Sequence, residues 1–149
     1  MRPLLTWFTL ISLTLMLSFV HAAETERYGK QKVVYHFNVA DSKIYSAALR
    51  NIQNHLDAVG VENVDIIAVL HGDGLAIVQD AVKDLDLQNR LLGLKATHHV
   101  QFKICQKTLE GRKLDYQTDL FDVQKEDIVP SGVAEIARLE QMGYVYLKP

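Results

Sequence analysis

The run Asn63-Val64-Asp65-Ile66-Ile67-Ala68-Val69-Leu70 is apolar at nearly every position past Asp65. A strand with one wet face alternates polar and apolar residues, so a near-continuous run suits an inner strand of a parallel sheet, covered on both sides. The flanking segments supply what such a strand needs. Upstream, Lys32-Val33-Val34-Tyr35-His36-Phe37-Asn38-Val39 reads as a β-branched and aromatic strand. Between the two, Ile44, Ala48, Ile52, Leu56 and Val59 recur at helical spacing, with Asp41 or Ser42 as the N-cap and Gly60 at the C-terminal stop.

Downstream, His71-Gly72-Asp73-Gly74 breaks the chain, Leu75 to Val82 reads as helical, and Leu85 to Leu94 is a further helix with Leu87, Leu91 and Leu94 on one face. His99 to Ile104 is expected as the third strand, followed by a helix opened by Cys105 or Gln106 and running toward Gly111. Asp119 to Lys125 fits either a short strand or an irregular segment. Ile128-Val129-Pro130 is extended, Ser131 caps a helix carrying Val133, Ile136, Ala137 and Glu140, Gly143 stops it, and Tyr144 to Leu147 forms a closing strand. Strands alternating with helices define an α/β layered domain with a mainly parallel sheet.

The N-terminus reads as a secretory signal peptide over residues 1–22. Arg2 gives a charged start, Leu4 to Val20 is uncharged and largely apolar, and Val20-His21-Ala22-Ala23 supplies the small residues a signal peptidase requires, with cuts after Ala22 or Ala23 both open. An uncleaved anchor is the alternative. Residues 23–31 then form a short flexible approach, and residues 32–149 are one domain, soluble in the periplasm if the cell is Gram-negative. With 16 Lys and Arg against 18 Asp and Glu, the chain is slightly acidic. Such a surface attracts neither nucleic acid nor anionic lipid, leaving proteins or small molecules as partners.

There is one cysteine, Cys105, so no disulfide can close within the chain. Its position at a strand-to-helix junction is where reactive groups collect in open parallel sheets, and free amides at a helix start favour a thiolate. Lys103 and Lys107 are candidates for added positive charge, with solvent as their alternative orientation. The bland reading of a lone cysteine is a small buried hydrophobe. His71 can orient or protonate if the turn after the second strand lies beside Cys105; the alternative is a turn histidine satisfied by backbone.

His98 and His99 are expected as strand neighbours facing opposite ways, and with His36 and His55 on other elements no metal-ligand spacing emerges. Gly72-Asp73-Gly74 lacks the third glycine of a dinucleotide fingerprint and the lysine of a P-loop, and Asn38 to Asp41 is no flavin phosphate loop. No cofactor is expected. Asp84 and Asp86 read as surface charge, and Tyr144 and Tyr146 as one core and one interface position.

Three phrases carry a resemblance: Phe102 to Gly111, Ile128-Val129-Pro130-Ser131-Gly132-Val133-Ala134-Glu135-Ile136, and Gln141-Met142-Gly143-Tyr144-Val145-Tyr146-Leu147. In their order and spacing, with the His71-Gly72 turn, they resemble the DsrE/DsrF-like family of small sulfur-handling proteins, most closely its exported branch, from Lys32 to Pro149. The resemblance implies a three-layer flavodoxin-like (DsrEFH-like) α/β fold and homo-oligomers, often trimers or hexamers. It also implies a single cysteine carrying sulfur as a persulfide, which maps onto Cys105. The better-understood members are cytoplasmic sulfurtransferases with dedicated relay partners, from which an exported chain departs. Two functions follow: an exported sulfur carrier or sulfurtransferase with its own donor and acceptor, or an oligomeric binding or scaffold protein with an inert Cys105.

Overall fold

The computed structural model describes residues 27–98 and 100–149; residues 1–22, expected as a signal peptide, and His99 lie outside them. Among these, five strands and five α-helices follow one another: β1 (Gln31–Phe37), α1 (Ser42–Val59), β2 (Val64–Leu70), α2 (Ala76–Asp80), α3 (Leu85–His98), β3 (Gln101–Cys105), α4 (Gln106–Arg112), β4 (Ile128–Val129), α5 (Gly132–Gln141) and β5 (Val145–Leu147). All pairings are parallel, in the order β4-β3-β2-β1-β5.

Topology dictates the layers. From β1 to β4 the chain steps one way across the sheet, and right-handed crossovers put the intervening helices on one face. The last connection runs back from β4 to the opposite edge, which places α5 on the other face. The packing agrees. Val33, Tyr35, Phe37, Ile66, Ala68 and Leu70 meet α1 and α3 in the larger core, whereas Val34, Ile67 and Val69 meet Ile136, Leu139 and Tyr144 in a smaller one. The β2 run is therefore buried on both faces, as its composition requires. The result is the expected three-layer, flavodoxin-like α/β arrangement.

Caps fix the element ends. Asp41 accepts hydrogen bonds from the Lys43 and Ile44 amides, Ser131 accepts one from the Ala134 amide, and Gly60 and Gly143 take positive φ where α1 and the α5 turn end. Asp84 is a cap rather than idle surface charge: its carboxylate accepts from the amides of Asp86 and Leu87 and starts α3. Three boundaries differ from the sequence reading. The third strand begins at Gln101 and includes Cys105, and His98 closes α3 instead of opening a strand, because Leu94 and Val100 continue the helix-side core. Only Ala76 to Asp80 of the segment after β2 is α-helical, preceded by a 3₁₀ turn, Gly72–Leu75. The segment from Asp119 onward is irregular until a second such turn at Lys125–Asp127.

The two glycines of the His71-Gly72-Asp73-Gly74 turn do different jobs. Gly72 has φ +53, while a Cβ on Gly74 would lie 2.1 Å from the Phe37 carbonyl oxygen and 2.8 Å from the Asn38 nitrogen. This contact seats the turn on the end of β1. Gly74→Ala is expected to lower unfolding stability by about 3 kcal/mol, since the clash is with backbone. Gly93→Ala, in the middle of α3 with nothing within 4 Å of the added methyl, should raise it by up to about 1 kcal/mol. Urea denaturation of the two variants checks both signs.

Candidate functional site

Cys105 is the last residue of β3 and the N-cap of α4. It shares a sheet face with Gln101 and Lys103, the face covered by α5, and it is a free thiol only 5% exposed. β2 is the hydrogen-bonded neighbour of β3, so the turn after β2 stands next to it. The join is closed from above by Gly132, the first residue of α5. A Cβ on Gly132 would sit 2.9 Å from His71 Cβ and 3.3 Å from Cys105 Cβ. Lack of a side chain lets the helix start settle between these two residues; no unusual backbone angle is involved.

The position brings two helix N-termini to one sulfur. The first amides of a helix have no intrahelical acceptor, and Gly132 is the first residue of α5, Lys107 and Thr108 the second and third of α4. The Cys105 side chain accepts no cap hydrogen bond of regular geometry, so these groups act on the sulfur as nearby dipoles. Burial pushes the thiol pKa up, but the Gly132 amide, the Thr108 hydroxyl, and the Thr108 and Lys107 amides act the other way and prevail, leaving it below the ordinary cysteine value. Thr108 is held in a pose that suits donation to the sulfur, because its oxygen accepts from the Gly72 amide at 2.9 Å and its own hydrogen remains to donate.

Side-chain charge contributes less than the sequence suggested. The Lys107 ammonium pairs with Glu110 at 2.8 Å on the surface, and Lys103 Nζ donates to the Glu126 carbonyl. It is the backbone of Lys107, not its ammonium, that chiefly reaches the cysteine.

His71 lies where the sequence reading required, and it does not stand alone. Its Nε2 is 2.6 Å from Nε2 of His36 on β1, the ring planes 19° apart and their centroids 4.7 Å apart. His36 Nδ1 is in turn 2.6 Å from the Tyr146 hydroxyl on β5. Both histidine pKa values are lowered. For His36, burial, the neighbouring His71 and the Lys148 ammonium bring it to about 4; for His71, burial and Lys148 act in the same direction. Both rings are neutral at neutral pH.

Tyr144 and Tyr146 fall on one face, not two. Tyr144 is buried against α5 and donates to Asp65, and burial together with that carboxylate raises it to about 12; Tyr146 sits at the rim and reaches His36. His55 is structural, between the Tyr35 hydroxyl and the Gln31 side chain. Among the described residues, no three His, Cys, Asp or Glu side chains are grouped to hold a metal, and no helix is long and apolar enough to cross a membrane.

A buried thiol under two helix starts, in a parallel three-layer domain, describes a small α/β protein built around one cysteine. The chain belongs to the DsrE/DsrF-like family, whose model matches residues 21–149. Membership suggests a sulfur-relay-related function. Among solved structures, a protein of unknown function from Methanobacterium thermoautotrophicum is similar to it, with a TM-score of 0.67 and 24% identity, over 80% of this chain and 100% of that one. That likeness supports the fold. No curated protein matches.

Thr108→Val is expected to raise the Cys105 pKa by removing one donor, and Gly132→Ala to raise it further by pushing the α5 amide off the sulfur. Thiolate ultraviolet absorbance against pH reads this without requiring access to the buried sulfur; an unchanged midpoint in Thr108→Val would refute the hydroxyl's role.

Proposed function

We propose that this protein is an exported sulfur carrier or sulfurtransferase that holds sulfane sulfur as a persulfide on Cys105. The observation that carries this reading is the set of donors aimed at Cys105, which favours a thiolate despite burial; family membership supports it. The Cys105 thiolate attacks the outer sulfur of a donor persulfide or polysulfide. A new S–S bond forms to Sγ, the donor's S–S bond breaks, and the donor leaves as a thiolate. An acceptor thiol or sulfite then attacks the outer sulfur, and Cys105 departs as a thiolate again. No resolving cysteine and no external oxidant are needed. His71 is an auxiliary to this exchange.

The leader-like residues 1–22 support a periplasmic setting, with no membrane attachment after cleavage, and donor and acceptor are proteins or small thiols of that compartment. The working form is a homo-oligomer, a trimer or hexamer. With the one cysteine buried, its subunits are held without disulfides, so light scattering should give a multimer of the same size with and without reductant; a monomer would count against the assembly.

The low exposure of Cys105 favours a second reading, a scaffold or binding protein in which the thiol is inert. Intact-mass measurement decides between them. After incubation with polysulfide the protein should gain one sulfur, removed by reductant and absent in Cys105→Ser. An unchanged mass would leave the scaffold reading standing.

A further inference from the structure

His36, His71 and Tyr146 come from β1, the turn after β2 and β5, and they form one hydrogen-bonded line that runs from the protein rim to His71, which shares the Gly132 contact with Cys105. The two Nε2 atoms at 2.6 Å can share a single proton, because one ring must donate and the other accept. The same holds at the next step, where His36 Nδ1 and the Tyr146 hydroxyl are 2.6 Å apart. The line therefore has two neutral arrangements. In one, Tyr146 donates to His36, His36 to His71, and His71 Nδ1 carries hydrogen. In the other every donor is reversed, and His71 Nδ1 is a base.

The inner end stands at the cysteine. His71 Cβ and Cγ and Cys105 Cβ all lie within 3.4 Å of the same point, where a Gly132 side chain would have been. Tyr146, at the outer end, is 37% exposed. Other charged groups near the line are Lys148, beyond β5, which acts on both rings, and Cys105 itself on β3.

We propose that this line is a proton wire serving sulfur discharge to thiol acceptors, with His71 as the base and His36 and Tyr146 as positioning residues. The proposal rests on the persulfide reading above. As an acceptor R–SH attacks the outer sulfur of Cys105–S–SH, its proton passes to His71 Nδ1. His71 hands its Nε2 proton to His36, His36 its Nδ1 proton to Tyr146, and Tyr146 releases its own to water. A bond forms between the acceptor sulfur and the outer sulfur, the bond from outer sulfur to Sγ breaks, and its electron pair stays on Sγ. The products are R–S–SH, the Cys105 thiolate and one proton in solvent. During reloading the wire runs in reverse, and the departing donor thiolate takes the Nδ1 proton.

Sulfite provides the discriminating acceptor, because its attacking sulfur carries no proton to remove. The experiment loads each variant with polysulfide, verifies one added sulfur by mass, and follows single-turnover discharge into glutathione or sulfite. Tyr146→Phe, His36→Gln and His71→Gln are expected to slow discharge into glutathione, His71→Gln by about a hundredfold, the lower end for loss of a positioned base, while discharge into sulfite is slowed far less. Tyr146→Phe removes only a rim hydroxyl and keeps the strand intact, so it tests the wire even if a histidine variant misfolds. Equal slowing with both acceptors, or no slowing in Tyr146→Phe, overturns the wire while the carrier reading stands. A wild-type protein that takes up no sulfur overturns both.

Discussion

The close approach of α5 to the sheet at Gly132 is the contact on which the site depends. Four strands run one way across the sheet and send their helices to one face, so among the described residues α5 alone covers the other. It is anchored at its far end by Ile136, Leu139 and Tyr144 on Val34, Ile67 and Val69. At its near end it descends between His71 and Cys105, where any side chain would hold it away. Interiors pack too tightly to absorb even one methyl without movement. A longer residue at 132 would take the α5 amide away from the sulfur and lift the helix start off the ends of β2 and β3.

Two opposed effects meet at Cys105, and their balance decides what the residue can do. Burial alone would make it the inert hydrophobe that lone cysteines commonly are. The same low-polarity surroundings strengthen any dipole aimed at the sulfur, and the donors come from fixed backbone at two helix starts, with Thr108 locked in place by Gly72. Fixed dipoles need no counter-ion and lose little to salt, unlike the exposed Lys107–Glu110 pair.

The strand-helix order, the inner β2 strand, the caps at Asp41 and Ser131, and the strand-to-helix junction position of Cys105 were legible because each is written in neighbouring residues: period, cap chemistry, a glycine at a stop. The placement of His71 was legible too, since parallel neighbours must end side by side. The remainder of the site was not. His36 and Tyr146 are 110 positions apart, and only the return of the chain to the β1 edge makes them adjacent. Gly132 resembled an ordinary residue after a cap, and Thr108 an ordinary helix residue, because a steric constraint or a bridging hydroxyl has no local signature. The start of β3 at Gln101 was missed because a β-branched run preceded by histidines does not show where a helix still holds its last turn.

Neutral histidines beside the thiol have a consequence for its reactivity. An imidazolium next to a cysteine forms an ion pair that drives the pKa far down, and nucleophilicity falls with it, so a strongly depressed thiolate is abundant but sluggish. Here His36 and His71 stay uncharged, each discouraged by burial and by Lys148. The thiolate is then stabilised chiefly by dipoles, working against burial. A thiol set this way keeps more of its intrinsic nucleophilicity, and in the proposed exchange the same amides would receive its charge when it departs. Exchange of sulfur in both directions requires that combination: a sulfur that attacks and leaves with comparable ease, and neighbours that can move a proton without themselves holding a charge.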